Sequence, residues 1–117
     1  MSIAGELARY ILDLGFENLP DDVVHHAKRV LLDTIGCAIG GFSSEASKIV
    51  QWQVRDLGGL EESTVIGSGL KTSCLNATLA NGVMVRYLDY NDTAFILQRD
   101  VYRTGYHPSE VIPATLT

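Results

Sequence analysis

The run from Val30 to Phe42, VLLDTIGCAIGGF, constrains this chain more than any other stretch. Read as a helix, it is apolar on every side except at Asp33 and Thr34. A helix with no polar face belongs inside a protein core. At about 13 residues it falls short of the roughly 20 that span a bilayer. The chain is therefore expected to wrap other helices around this segment. Gly36 and Gly40 are four apart and share a face, so the pattern predicts that another helix approaches closely there. A glycine in a helix costs about 1 kcal/mol against alanine, and close packing offsets that cost. Asp33 is expected to find an ion pair or a cap, because an unpaired buried charge is expensive.

The remaining segments read as helices of ordinary length. Ile3, Leu7, Tyr10, Ile11 and Leu14 recur at helical spacing, which predicts a helix over 3–14. Gly15 is expected to end it through a left-handed turn. Pro20, Asp21 and Asp22 open a second helix that runs into the apolar segment and ends near Ile39. Ser43 or Ser44 caps a third helix, which continues to about Leu57 before Gly58 and Gly59 stop it. STVIGSGLKTS reads as a loop with a short extended piece at Thr64 to Ile66. Ser68, Gly69 and Lys71 look loosely like a phosphate loop, but the Gly-x-x-x-x-Gly-Lys-Ser/Thr order is absent. Thr72 or Ser73 caps a fourth helix reaching about Leu88. Its apolar stripes are Leu75, Leu79, Val83 and Tyr87 beside Ala80, Met84 and Leu88. Asn81-Gly82 could mark a hairpin, but its flanks lack strand alternation. With strand content close to nil, the fold class is all-α, a helical bundle.

Composition excludes several classes of function. The chain has 117 residues, 46% apolar and 20% charged, with a formal net charge of −5. That is globular composition for a single domain. The acidic balance and the scattered lysines and arginines argue against a nucleic-acid partner. Cys37 and Cys74 match no metal or redox spacing and read as reduced, buried thiols. No apolar leader or arginine-rich transit segment is visible, so a cytoplasmic protein is expected, with a mitochondrial one the alternative for a eukaryote. The C-terminal HPSEVIPATLT looks like the start of an apolar helix without a cap, which suggests a chain cut short.

The chemistry-bearing residues cluster after the fourth helix. In RYLDYNDT, Asp89, Asp92 and Thr93 stand at i, i+3 and i+4. If the helix continues, they share one face with Cβ atoms about 5–6 Å apart. Two carboxylates that close repel, so one holds its proton more tightly, giving an acid and a base side by side. The segment 94–106 reads as irregular, and functional groups favour such loops on a rigid scaffold. His107 precedes Pro108, which biases it toward an extended backbone and pre-sets the first turn of a last helix. A neutral imidazole there can take up a proton or bond a carboxylate. The plain alternative is a solvated acidic helix end and a His-Pro turn, with Arg86 paired to Asp89 or Glu110. Two aspartates and a histidine could bind a metal, but the spacing matches no closed zinc site. His25 and His26 fall on a polar face and receive no role.

These residues resemble the MmgE/PrpD family, whose members include 2-methylcitrate dehydratase, cis-aconitate decarboxylase and iminodisuccinate epimerase. The resemblance runs along the whole chain, in order. LLDTIGCAIGG resembles the second-helix signature, STVIGSGLKTSCLNATLANGVMVRYLDYNDT the glycine loop and the helix that follows, and HPSEVIPA the His-Pro-Ser-Asp segment. Glu110 stands in place of the usual aspartate, and Ala94 where an aromatic residue often follows the threonine.

The resemblance implies a large helical domain followed by a smaller α+β domain, in enzymes several times as long as this chain. Residues 1–117 would then be part of the N-terminal helical domain, with the second domain outside them. It further implies a cofactor-independent and metal-free carbon–oxygen lyase, usually a homodimer, acting on small di- and tricarboxylates. By position in the motifs, Asp89 and His107 correspond to catalytic residues. Thr93 and Arg86 correspond to substrate-binding ones, and Asp92 to a second, structural acid. Arg86-Tyr87-Leu88 with Asn91 looks more like the 2-methylcitrate dehydratase branch, with cis-aconitate decarboxylase or an epimerase as alternatives. Residues 1–117 alone are expected to be inactive. A rival of another class is a non-catalytic helical module that associates with another chain.

Overall fold

The computed structural model describes residues 2–98 and 101–117. It is predominantly helical, as the sequence predicts. Helix α1 spans Ile3–Asp13, α2 Asp21–Gly41, α3 Glu45–Leu57, α4 Cys74–Arg86 and α5 Ile112–Thr115. Two short antiparallel hairpins interrupt them: β1 (Ser63–Thr64) with β2 (Lys71–Thr72), and β3 (Ala94–Gln98) with β4 (Val101–Tyr106). The second hairpin replaces the irregular segment expected over 94–106, of which Arg99 and Asp100 lie outside the described residues.

The predicted caps explain where the helices start. The Ser44 side chain accepts from Ser47 N, and the Ser73 side chain from Asn76 N, each satisfying an otherwise orphaned donor. Gly58 ends α3 at φ 64, a backbone that glycine adopts without a Cβ clash. Gly15 plays no such part: its φ is −94, and a single 3₁₀ turn over Phe16–Asn18 carries the chain into α2.

The core lies where α2, α3 and α4 meet. Ala38, Val50, Val54, Val65, Ala80, Met84 and Val85 form it, with Phe42, Ile66, Leu70 and Val83 packed against it. The close approach of α2 to α4 falls one step from its expected place. A Cβ on Gly36 would meet nothing within 4 Å, whereas one on Gly41 would collide with the Met84 carbonyl. A Cβ on Gly40 would stand 2.9 Å from Leu88 Cδ1. Only part of α2 is buried. Thr34, Cys37, Ala38 and Gly41 face inward, while Leu32, Asp33 and Ile39 are exposed, so Asp33 needs no buried partner. On α4 the buried stripe is Ala77, Ala80, Asn81, Met84 and Val85; Leu75, Leu79 and Tyr87 are exposed.

Asn81 joins α4 to the first hairpin. Its side chain is buried in mid-helix, with Oδ1 accepting from Ile66 N at 2.9 Å and Nδ2 donating to the Thr64 carbonyl at 3.1 Å. Asn81 is helical, as the lack of strand alternation predicts, and its side chain holds the hairpin in place. Helix α1 buries no residue at all.

Candidate functional site

The site forms at the C-terminal end of α4, which stops at Arg86 rather than Leu88. Asp89 then adopts φ 48, in the left-handed region that aspartate tolerates better than most residues. This break removes the shared helical face expected for Asp89, Asp92 and Thr93. Asp89 and Asp92 turn to separate contacts instead, and Thr93 is exposed.

Arg86 gathers the first group. Its Nη2 lies 3.2 Å from Asp89 Oδ1, and its Nη1 donates to Asn91 Oδ1 at 3.1 Å. The Arg86 side chain is 37% exposed and that of Asp89 81% exposed, so this ion pair is largely solvated and contributes at most about 1 kcal/mol. Its effect is on geometry: one guanidinium holds both residues in a fixed relation. Asn91 Nδ2 donates in turn to the Val85 carbonyl at 3.0 Å, satisfying an orphaned acceptor at the helix end.

Asp92 gathers the second group. Its backbone carbonyl lies 2.6 Å from His107 Nδ1. Its carboxylate Oδ1 accepts from the backbone N–H of Ser109 at 3.2 Å. His107 has the extended backbone its proline predicts, at φ −105 and ψ 103, and the 3₁₀ turn Pro108–Glu110 follows it. Ser109 is fully buried. Among the described residues, Ser109 Oγ and Asp92 Oδ2 are buried with no hydrogen-bond partner.

A third tie runs to α2, where Cys37 Sγ donates to the Tyr90 carbonyl at 3.5 Å. The consecutive residues Tyr90, Asn91 and Asp92 thus bond to α2, to α4 and to the His107 turn respectively. Cys37 is a free, buried thiol. Burial raises its pKa above the ordinary 9.0, and the charges of Asp33 and Asp92 add to the effect.

A cavity of about 580 Å³ opens between this segment and α2, with His26, Arg29 and Asp33 on one wall and Tyr90, Asn91 and Asp92 on the other. A second, more apolar groove of about 480 Å³ continues past it toward Tyr106 and Pro108, sharing His26 and Val30. Arg29 is exposed and forms no ion pair among the described residues. The sequence reading left His26, Arg29 and Asp33 without a role in a site, although their 3- and 4-residue spacing places them on one side of α2. No group of three or more His, Cys, Asp or Glu among the described residues is placed to hold a metal ion. No helix among them is long and apolar enough to cross a membrane.

Of the four residues singled out from the sequence, Arg86 and Asp89 are brought together, while His107 is bonded to Asp92. Thr93 is exposed between the two groups. An imidazole, a carboxylate, a hydroxyl and a guanidinium thus follow the end of a half-buried helix, in two separately bonded groups.

The sequence model of the MmgE/PrpD N-terminal domain matches residues 5–117. The chain belongs to the MmgE/PrpD family. Human cis-aconitate decarboxylase is 28% identical to it over an alignment covering 99% of this chain. The chain spans 23% of that relative's length. No solved structure matches it significantly. Membership in the MmgE/PrpD family agrees with the helical architecture and with the order of the three motifs.

Proposed function

We propose that this chain is the N-terminal part of a cofactor-independent lyase acting on small di- and tricarboxylates. The family match over residues 5–117 carries the reading, and the pairing of Arg86 with Asp89 and the fixed His107 beyond the end of α4 support it. The first choice of reaction is dehydration of 2-methylcitrate. One group removes the proton beside a carboxylate, and the C–H electron pair becomes the double bond. The hydroxyl on the neighbouring carbon leaves with a proton as water. His107 and Asp89 exchange those protons, Thr93 bonds a substrate carboxylate or hydroxyl, and Arg86 supplies positive charge. The second α+β domain would contribute the remaining cationic groups, in a cytoplasmic homodimer.

The human relative favours a second reading, decarboxylation of cis-aconitate. Asn91 is the residue that favours dehydratase. Its amide is already engaged by Arg86 and Val85, so its influence on substrate choice is indirect. A non-catalytic helical module is the rival of another class, and the apolar surface left exposed on α1 favours it.

The test offers 2-methylcitrate and cis-aconitate to two proteins: the 117 residues alone, and the polypeptide read through any open frame beyond Thr117. No turnover is expected from the first. The second should form unsaturated product from one of the two acids, and there His107→Gln and Asp89→Asn should each lower kcat by about 10²-fold or more. Turnover by the 117 residues alone would overturn the reading of this chain as an incomplete enzyme. A longer polypeptide that converts neither acid, or whose His107→Gln variant keeps full kcat, would overturn the lyase reading or the role of His107.

A further inference from the structure

We infer that Asp92 is the positioning residue for His107. Its carbonyl oxygen takes the Nδ1 proton and its carboxylate fixes the turn that carries the ring, leaving Nε2 as the only ring nitrogen able to accept a proton. The inference deepens the lyase reading and rests on it for the use made of Nε2. The tautomer itself stands on geometry alone.

The argument begins with the inventory of donors. A backbone carbonyl oxygen only accepts hydrogen bonds. At 2.6 Å from the Asp92 carbonyl, His107 Nδ1 must carry the hydrogen. A neutral imidazole has one ring hydrogen, so Nε2 then holds a free lone pair. A histidine with no constraint prefers the opposite arrangement, with its hydrogen on Nε2. The contact therefore selects the less populated form of the ring. Protonation at Nε2 leaves the Nδ1–H bond in place and makes it a stronger, charge-assisted one. The ring can take up and return a proton without turning.

The carboxylate contributes separately. Asp92 Oδ1 accepts from Ser109 N, two residues after His107, and Ser109 is fully buried. Pro108 restricts the backbone between them. One residue thus grips both the imidazole and the turn behind it. The grip uses one carboxylate oxygen, because Oδ2 has no partner among the described residues. Asparagine at 92 would keep the Oδ1 acceptor, whereas alanine would free the Ser109 N–H and let the turn shift against the carbonyl.

The test reads the ring nitrogens of the ¹⁵N-labelled chain by long-range proton–nitrogen correlation, at a pH where the rings are neutral. His107 is assigned by the loss of its signals in His107→Gln. Wild-type His107 should show a protonated Nδ1 and a bare Nε2, whereas the exposed His25 and His26 should show the mixture of free imidazole. Asp92→Asn should retain the His107 pattern, and Asp92→Ala should shift it toward the free mixture. A wild-type His107 with its hydrogen on Nε2 would overturn the inference. So would an Asp92→Ala spectrum identical to wild type. Should Asp92→Ala fail to fold, the wild-type and Asp92→Asn spectra decide the matter, with loss of the pattern in Asp92→Asn counting against it. The readout needs no turnover. An inactive enzyme with the expected tautomer sinks the lyase reading alone, and a wrong tautomer sinks the inference whatever the activity.

Discussion

Cys37 shows what a single residue reports about the interior. Its thiol is buried against the Tyr90 carbonyl, and desolvation together with Asp33 and Asp92 raises its pKa above 9.0. The unfolded chain therefore loses this proton at a lower pH than the folded one. The thiol has no effect on stability at neutral pH, where both states hold the proton. As pH rises past about 9, the unfolded state ionises first and stability falls, until the folded thiol also ionises. Urea midpoints taken between about pH 8 and pH 10 should decline less steeply in Cys37→Ala than in wild type. Equal slopes would show that Cys37 is not buried in this way. At this scale the sequence was partly legible. The identities of Arg86, Asp89, Thr93 and His107 stand in the motifs, and the expected pairing of Arg86 with Asp89 is present. The contacts of Tyr90 and Asp92 are hidden, because each uses main-chain atoms that every residue possesses: the two carbonyls, and the Ser109 N–H that the Asp92 carboxylate meets.

Elements were legible where a local rule decides them. Ser44, Ser73 and Gly58 mark helix ends by side-chain capping or by a backbone that glycine favours, and those ends fall where expected. The end of α4 was misplaced because Tyr87 and Leu88 continue its apolar pattern, while the left-handed backbone of Asp89 has no apolar signature. The hairpin over 94–106 was missed although its letters are rich in β-branched and aromatic residues. The spacing picks out Gly36 and Gly40, of which only Gly40 has a close neighbour, and overlooks Gly41, because spacing alone does not say which face of α2 meets α4. Asn81 is the element-scale test of the packing. Asn81→Ala leaves the Ile66 N–H and the Thr64 carbonyl, both part-buried, without their partner. Each orphaned group costs about 1–3 kcal/mol. A loss of at least about 2 kcal/mol in chemical denaturation is expected, with faster amide exchange at Ile66. A variant within about 0.5 kcal/mol of wild type would mean that the first hairpin does not depend on α4.

The molecule as a whole is extended for its length. Its radius of gyration is 16.9 Å, against about 13 Å for a closed domain of this size. Helix α1 packs no side chain into the core. Large apolar residues stay uncovered, Leu12 at 85% and Leu75 at 83% exposure among them. Exposed apolar surface of this kind is a binding face or an aggregation liability. Size-exclusion chromatography with light scattering should find the 117 residues self-associated at micromolar concentration. A stable monomer that binds no hydrophobic dye would show that these faces are covered in solution. The sequence made α1 visible as an amphipathic helix, but periodicity names a face that wants a partner without naming the partner.

The junction at Tyr90–Asp92 has a consequence for how such a chain can diversify. Two of its ties, to Cys37 and to His107, are made by main-chain oxygens, while the Tyr90 ring is 79% exposed. Selection can therefore replace the side chain at 90, beside the cavity, without moving the histidine. Position 90 is a place where the wall of the cavity is free to vary while the contact that holds His107 stays as it is.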